Sequence, residues 1–326
     1  MKQNSHERRV KLVLLKDHNG ITALNYGITK ILLDWSTGRG KFIELLESRD
    51  RQPSIGGQSS LGQWLMKWDN SKAIQVLLEH NASVSIMNYM DYPPFYPPLA
   101  IAIAMAKLEQ KDLEKVTEGV FHIMDMLLKK GASLDLKVGR SELTVFMMAV
   151  LNCPPNVIDF LLKYKPSLTA VDIHGNNVLL LTVMQYIDED FFKQEESYIR
   201  VKQILDASDD ELEINQKNDE GQTALLEALK EKCSWRLFEL LVSHGADIHA
   251  VDNHGKTALM HASKPRIIDY LLEQGVSANA QDKNGTTALM YATSLYCDEV
   301  MAKHLIQQNS VDVNIQVSQY CTRLLI

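Results

Sequence analysis

A short pattern of the form Gly-x-Thr-Ala-Leu recurs along this chain of 326 residues and constrains its fold more than any other feature. The clearest copies occupy residues 221–225, 255–259 and 285–289, and weaker copies begin at Gly20 and Gly57. With the Thr position as origin, successive copies lie 30 to 47 residues apart. Such a period is typical of repeat architectures, in which each unit is too thin to bury its own apolar face and must stack on its neighbours.

Each position that recurs between the repeats has a physical reason. Asp172, Asp252 and Asp282 stand three residues before a Gly, which predicts a tight turn in which the Gly takes a positive φ. The Thr that follows is suited to cap the first turn of a helix. Apolar residues then recur at helical spacing and end in an aliphatic pair, often followed by a Gly suited to close the second helix. The predicted unit is therefore turn, helix, short loop, helix.

These features resemble the ankyrin-repeat family. Residues Asp252 to Leu259 read Asp-x-x-Gly-x-Thr-Ala-Leu, and Leu271, Leu272 and Gly275 follow at the family's spacing. The resemblance extends over nearly the whole chain and is strongest from 213 to 316. It implies an all-α fold, an ankyrin-repeat solenoid of stacked helix-turn-helix units with short β-turn fingers. Where the family has Thr-Pro-Leu-His, this chain has Thr-Ala-Leu followed by a residue other than His. In the family this His makes a hydrogen bond that ties adjacent repeats, so we expect looser coupling between the repeats here.

The spacing also predicts the organisation of the chain. Residues 1–52 form a divergent N-terminal capping repeat, and residues 53–316 form ankyrin repeats, about eight full repeats in total. Insertions near 107–119 and 187–197 lengthen two units between their helices. Residues 317–326 begin an incomplete ninth repeat, which predicts either that the chain continues in nature or that this short piece caps the stack.

The segment 89–98 is an enlarged connecting loop rich in proline and aromatic residues, which the resemblance places among the fingers that line the concave surface. Aromatic side chains on a stiff loop lose little entropy on binding and are enriched at interface hot spots. Alternatively, Pro97 and Pro98 fill the Thr-Pro position and the rings pack over helix ends. Residues 93–96 read Pro-Pro-Phe-Tyr, which also matches the Pro-Pro-x-Tyr ligand of WW domains. The candidate partner-binding residues of this loop are Tyr89, Tyr92, Pro93, Pro94, Phe95 and Tyr96.

Charge is distributed unevenly. The formal net charge of -7 argues against a nucleic-acid partner. Residues 186–231 carry fourteen acidic against five basic side chains, and Asp188, Glu189 and Asp190 are candidate contacts for a basic partner. The alternative is a solvated face that keeps a repeat protein soluble.

No pattern of residues indicates catalysis, a cofactor or a metal. The four cysteines are far apart and form no Cys-x-x-Cys pair, which favours a reducing, cytoplasmic location. Gly38-Arg39-Gly40-Lys41 lacks the first Gly and the final Ser or Thr of a phosphate-binding loop. No apolar run approaches the ~20 residues that span a bilayer. Four histidines are close in sequence but occupy different positions of the repeat: His244, His249, His254 and His261.

Two functional hypotheses follow. The first is a non-catalytic scaffold or adaptor that binds a protein partner on its concave finger and inner-helix surface. The Thr-Ala-Leu repeats also resemble those of ankyrin proteins from host-associated bacteria, which implies an effector that acts on host proteins in the host cytosol. The second hypothesis is the targeting half of an enzyme whose activity lies in the divergent N-terminus or beyond residue 326.

Overall fold

The structure, a computed structural model, divides the chain by its contacts into two compact units, Met1–Ser167 and Leu168–Ile326. In the described residues, both units are built from helices joined by turns. The structure describes residues 70–79, 82–84, 97–106, 113–185, 191–208, 212–294, 299–307 and 311–316.

The first unit contains five described helices and one two-stranded hairpin. The hairpin pairs Val138 with Leu143 in antiparallel register and leads directly into a helix. That helix, Val145–Asn152, packs against the helix Pro98–Ala106. Phe146 of the first and Ile103 of the second are fully buried. The elements are α1 (Asn70–Glu79), α2 (Pro98–Ala106), α3 (Leu113–Lys129), β1 (Lys137–Val138), β2 (Leu143–Thr144), α4 (Val145–Asn152) and α5 (Pro155–Leu162).

The described part of the second unit contains four helix pairs. The first helices of successive pairs pack on one another, and the second helices do the same from the second pair onward. Phe238 and Leu271 of two second helices are fully buried, so the core lies between the two rows of helices. The helices are α6 (Val178–Met184), α7 (Phe191–Asp206), α8 (Ala224–Lys230), α9 (Trp235–Ser243), α10 (Ala258–His261), α11 (Pro265–Glu273), α12 (Ala288–Ser294) and α13 (Glu299–Gln307).

The predicted Thr caps are present at three of the four described Thr positions. The Oγ1 atoms of Thr144, Thr223 and Thr287 accept the backbone N–H three residues ahead, at 3.1, 3.3 and 3.4 Å. Thr257 makes no such bond, and its hydroxyl is buried. The helix that it precedes, α10, is only four residues long, because the chain is already extended at Ala262.

Two second helices are unusually long. Helices α3 and α7 have 17 and 16 residues, whereas α9, α11 and α13 each have 9. They begin at Leu113 and Phe191, so part of each inserted segment is helical and lengthens the second helix. None of the helices in the described ranges is long and apolar enough to cross a membrane.

Candidate interaction surface

Four tight turns with the same construction precede the first helices of the second unit. At Asp252, the carboxylate oxygen Oδ1 accepts the backbone N–H groups of His254 and Lys256, at 2.8 and 2.9 Å. Gly255 closes the turn with a φ of 79°, as the sequence predicted. The same two carboxylate bonds recur at Asp172 and Asp282. We call these turns the fingers: residues 172–175, 218–221, 252–255 and 282–285.

Each finger is joined to the next through its backbone. The N–H group of Asp219 donates to the carbonyl oxygen of His174 at 3.0 Å. Two equivalent bonds continue the row at 3.0 and 2.9 Å, from Asn253 to Glu220 and from Lys283 to His254. The four fingers therefore form one hydrogen-bonded edge rather than four independent loops.

The approach between neighbouring fingers is close enough to require glycine. A Cβ atom on Gly221, whose φ is 76°, would lie 2.5 Å from the backbone nitrogen of Asn253. At Gly175 the nearest atom, Oδ1 of Asp219, would be 3.0 Å away. The glycines thus serve both the turn conformation and the contact with the next finger.

Polar side chains also tie adjacent repeats together beneath the fingers. The amide nitrogen of Gln222 donates to Oδ2 of Asp252 at 3.0 Å, and that of Asn218 donates to Oδ1 of Asn176 at 2.9 Å. Both bonds cross from one repeat to the next. They couple neighbouring repeats through residues other than the missing family His.

His261 lies one helical turn after Thr257, and its Nε2 atom is 3.6 Å from Oδ2 of Asp252. The two side chains are 5% and 1% exposed. Burial lowers the pKa of His261 to about 4, because desolvation outweighs the attraction of Asp252. Burial opposes ionisation of Asp252 as well, but the N–H groups of Lys256 and His254 outweigh it and lower the pKa of this carboxyl. A neutral His261 beside an ionised Asp252 is the resulting state at neutral pH.

An ion pair on α8 joins a buried carboxylate to an exposed lysine. The side chain of Glu227 is 4% exposed, and the Nζ atom of Lys230 is 3.2 Å from its Oε1. Burial raises the pKa of Glu227 although Lys230 opposes the shift. Burial also disfavours charge on Lys230, but the charge and hydrogen bond of Glu227 together with the charges of Glu220 and Glu231 outweigh it and raise the pKa of Lys230. The charge of the buried Glu227 carboxylate is therefore compensated within α8 itself.

The finger tips differ in chemistry while sharing one backbone. Ile173 is 52% exposed, an apolar tip on the first finger. Asp219 and Glu220 make the second tip acidic, and Lys283 makes the fourth basic. A row of rigid turns with variable, exposed tips is suited to the recognition of a macromolecular surface.

The comparisons with known proteins agree with this architecture. The family model for ankyrin repeats in three copies matches residues 194–282 and 236–317. Residues 194–317 of the chain are ankyrin repeats. Among solved structures, it is similar to the ankyrin repeat domain of Bcl-3, described as a unique member of the IkappaB protein family. The identity is 25% and the TM-score 0.53, over 68% of this chain and 90% of that domain. No curated protein matches the sequence.

The comparisons and the structure confirm the predicted fold class, a mostly helical stack of ankyrin repeats. The predicted partner-binding residues lie outside the described residues, and they remain a prediction. They are Tyr89, Tyr92, Pro93, Pro94, Phe95 and Tyr96 of the aromatic loop and Asp188, Glu189 and Asp190 of the acidic segment. The last two residues of the loop, Pro97 and Pro98, are buried, and Pro98 is the first residue of α2.

The clustered histidines of this ankyrin-repeat protein serve separate local contacts. His244 ends α9, where its Nδ1 atom contacts the carbonyl oxygen of Leu240 at 2.8 Å. His254 belongs to a finger, and His261 is buried beside Asp252. Within the described ranges no group of three or more potential ligands could hold a metal ion.

The sequence did not reveal the bonds between repeats. Gln222 and His261 were unremarkable in the pattern, yet both contact Asp252, Gln222 from the preceding repeat and His261 from the same repeat as Asp252. One signal was available, because His261 follows Thr257 by four positions and therefore shares its helix face. The partner across the repeat boundary depends on how the units stack, which a single repeat does not encode.

Proposed function

We propose that this ankyrin-repeat protein is a non-catalytic scaffold that binds a protein partner on its fingers and first helices. Ankyrin repeats typically mediate protein–protein interactions and are typically non-catalytic. The observation that supports the proposal most directly is the continuous hydrogen-bonded row of fingers. Because the row is already ordered, a partner that binds it incurs little entropic cost for ordering the loops.

The chemistry of the tips supports a partner segment that is partly basic. Asp219 and Glu220 are exposed on the second finger, and the apolar side chain of Ile173 lies on the finger bonded to it. A lysine or arginine beside an aliphatic residue would complement this pair of fingers. Asp188, Glu189 and Asp190 add three further acidic side chains to the same part of the sequence.

A charge-reversal pair tests this proposal. The variant Asp219→Lys/Glu220→Lys is compared with Glu239→Lys/Glu273→Lys, which makes the same charge change on exposed positions of α9 and α11. Each full-length protein is immobilised, and the captured proteins are quantified by mass spectrometry. We expect a specific partner to be lost by the finger variant and retained by the control. Equal capture by both variants would exclude the fingers as the binding surface.

The aromatic loop requires a separate experiment. The variant Tyr92→Ala/Phe95→Ala/Tyr96→Ala should lose the same partner if this loop acts as a further finger. An isolated WW domain offered to wild type and variant would distinguish a Pro-Pro-x-Tyr ligand from a general contact surface. Unchanged capture by the variant would remove the loop from the proposal and leave the four fingers in place.

We further propose that the partner is a protein of a eukaryotic host. The resemblance of the Thr-Ala-Leu repeats to ankyrin proteins of host-associated bacteria supports a eukaryotic host protein, bound in the host cytosol. Parallel captures from eukaryotic and bacterial lysates test this. A finger-dependent partner found only in the bacterial lysate would contradict an effector role.

A further inference from the structure

Two arginines of the second unit are stacked on aromatic rings in the same way. Arg236 is the second residue of α9, and its guanidinium carbon lies 3.8 Å from the ring centroid of Tyr198 on α7. Arg266 is the second residue of α11, and its guanidinium carbon lies 4.0 Å from the ring centroid of Trp235 on α9. Stacking holds a guanidinium by its face and leaves the N–H groups on its edge available.

In the first of these pairs a carboxylate already occupies the edge. The Nη1 atom of Arg236 lies 2.9 and 2.7 Å from the two carboxylate oxygens of Glu195. Tyr198 and Glu195 both belong to α7, so one helix supplies the ring and the acid together. The molecule thus contains a complete example of an aromatic ring, a stacked arginine and a carboxylate.

In the second pair the carboxylate is missing. Arg266 is exposed, and no acidic group in the described part of the chain forms an ion pair with it. The first turns of α9 and α11 contain no acidic residue either. The positive end of the α11 dipole therefore adds to the charge of Arg266 rather than being neutralised within the helix.

The ring beneath Arg266 is held firmly. Trp235 contacts Phe238 and Tyr270 with centroid distances of 5.5 and 5.7 Å, and Phe238 is fully buried. The Nε1 atom of Trp235 is itself buried, without a hydrogen-bond partner within the described ranges. Arg266 consequently rests on a preorganised platform, and fixing its side chain costs little further entropy when a ligand binds.

We propose that Arg266, stacked on Trp235, is a receptor for an aspartate or glutamate carboxylate of a partner protein. The carboxylate would take the place that Glu195 takes beside Arg236, with its two oxygens facing the guanidinium edge. This goes beyond the proposed function, because the site lies on α9 and α11 and shares no residue with the fingers. Either surface can fail its test without affecting the other.

The test measures binding of a fluorescein-labelled peptide of six glutamates to the full chain by fluorescence anisotropy. Incorporated 5-fluorotryptophan, with Trp235→Phe to assign its resonance, reports contact at the platform by fluorine NMR. We expect the peptide to shift the Trp235 resonance. Arg266→Gln should weaken binding about tenfold or more, as for the loss of a charge-assisted hydrogen bond. Arg266→Lys should also weaken it, since lysine lacks the planar fork.

The occupied pair provides both a control and a gain of function. Arg236→Gln should leave peptide binding unchanged, because Glu195 already fills that edge. Glu195→Gln should strengthen binding by opening a second receptor at Arg236. Unchanged affinity in Arg266→Gln, or wild-type affinity in Arg266→Lys, would overturn the proposal. So would a Trp235 shift with inorganic phosphate and none with the peptide, which would indicate a phosphate site.

Discussion

Two glycines with the same backbone conformation differ in what surrounds them, and this difference predicts the strength of the finger row. Gly221 and Gly245 have φ values of 76° and 91°. A Cβ atom on Gly245 would meet nothing within 4 Å, whereas one on Gly221 would lie 2.5 Å from both the backbone nitrogen and Oδ1 of Asn253. The pair Gly221→Ala and Gly245→Ala therefore separates backbone strain from contact between fingers.

The expected costs follow from the contacts. Alanine in the left-handed region costs about 1 kcal/mol, which is all that we expect for Gly245→Ala. In Gly221→Ala the finger at 252–255 must also move away, which breaks two bonds of Asn253, to the carbonyl oxygens of Glu220 and Asp219 at 3.0 and 2.8 Å. At about 1 kcal/mol for each bond, the free energy of unfolding should decrease by about 3 kcal/mol in total.

Urea denaturation followed by circular dichroism measures both losses, and native-state hydrogen exchange localises them. The amide of Asn253 should exchange faster in Gly221→Ala and remain protected in Gly245→Ala. If the two variants lose the same stability and protect Asn253 equally, the fingers do not support one another and the reasoning is wrong.

Three further predictions concern His261, the Tyr164–Asp125 hydrogen bond and Lys165. Burial lowers the pKa of His261 to about 4, below its ordinary value of 6.5. Between these two pH values the unfolded chain therefore binds a proton more readily than the folded chain does. The free energy of unfolding should decrease by about 3 kcal/mol as the pH falls from 6.5 to 4. His261→Gln should remove that part of the slope in urea titrations, and an unchanged slope would contradict the assignment. The hydroxyl of Tyr164 donates to Asp125 at 2.5 Å, so Tyr164→Phe should cost about 1 kcal/mol in thermal unfolding, but nothing in an Asp125→Ala background. Lys165 has a φ of 50°, so Lys165→Gly should stabilise the protein by about 0.5–1 kcal/mol, and any loss in a denaturant titration would refute this.

The local parts of the repeat were predictable because short-range chemistry determines them. A Gly three residues after an Asp takes a positive φ in the turn, as at Gly255, and a Thr before an apolar run caps a helix, as at Thr223. The exception, Thr257, shows where local reasoning ends. The repeat that contains Thr257 is shorter than the other repeats. The helix that Thr257 should cap ends after one turn.

The sequence by itself determined that this protein contains ankyrin repeats, because turn, cap and helix periodicity depend on residues within a few positions of one another. Only the tertiary structure decided which groups meet across repeats. Gln222 bonds to Asp252 and Arg266 stacks on Trp235 because separate units are stacked in a particular register. That register arises from packing between helices about 30 residues apart, and no single repeat specifies it.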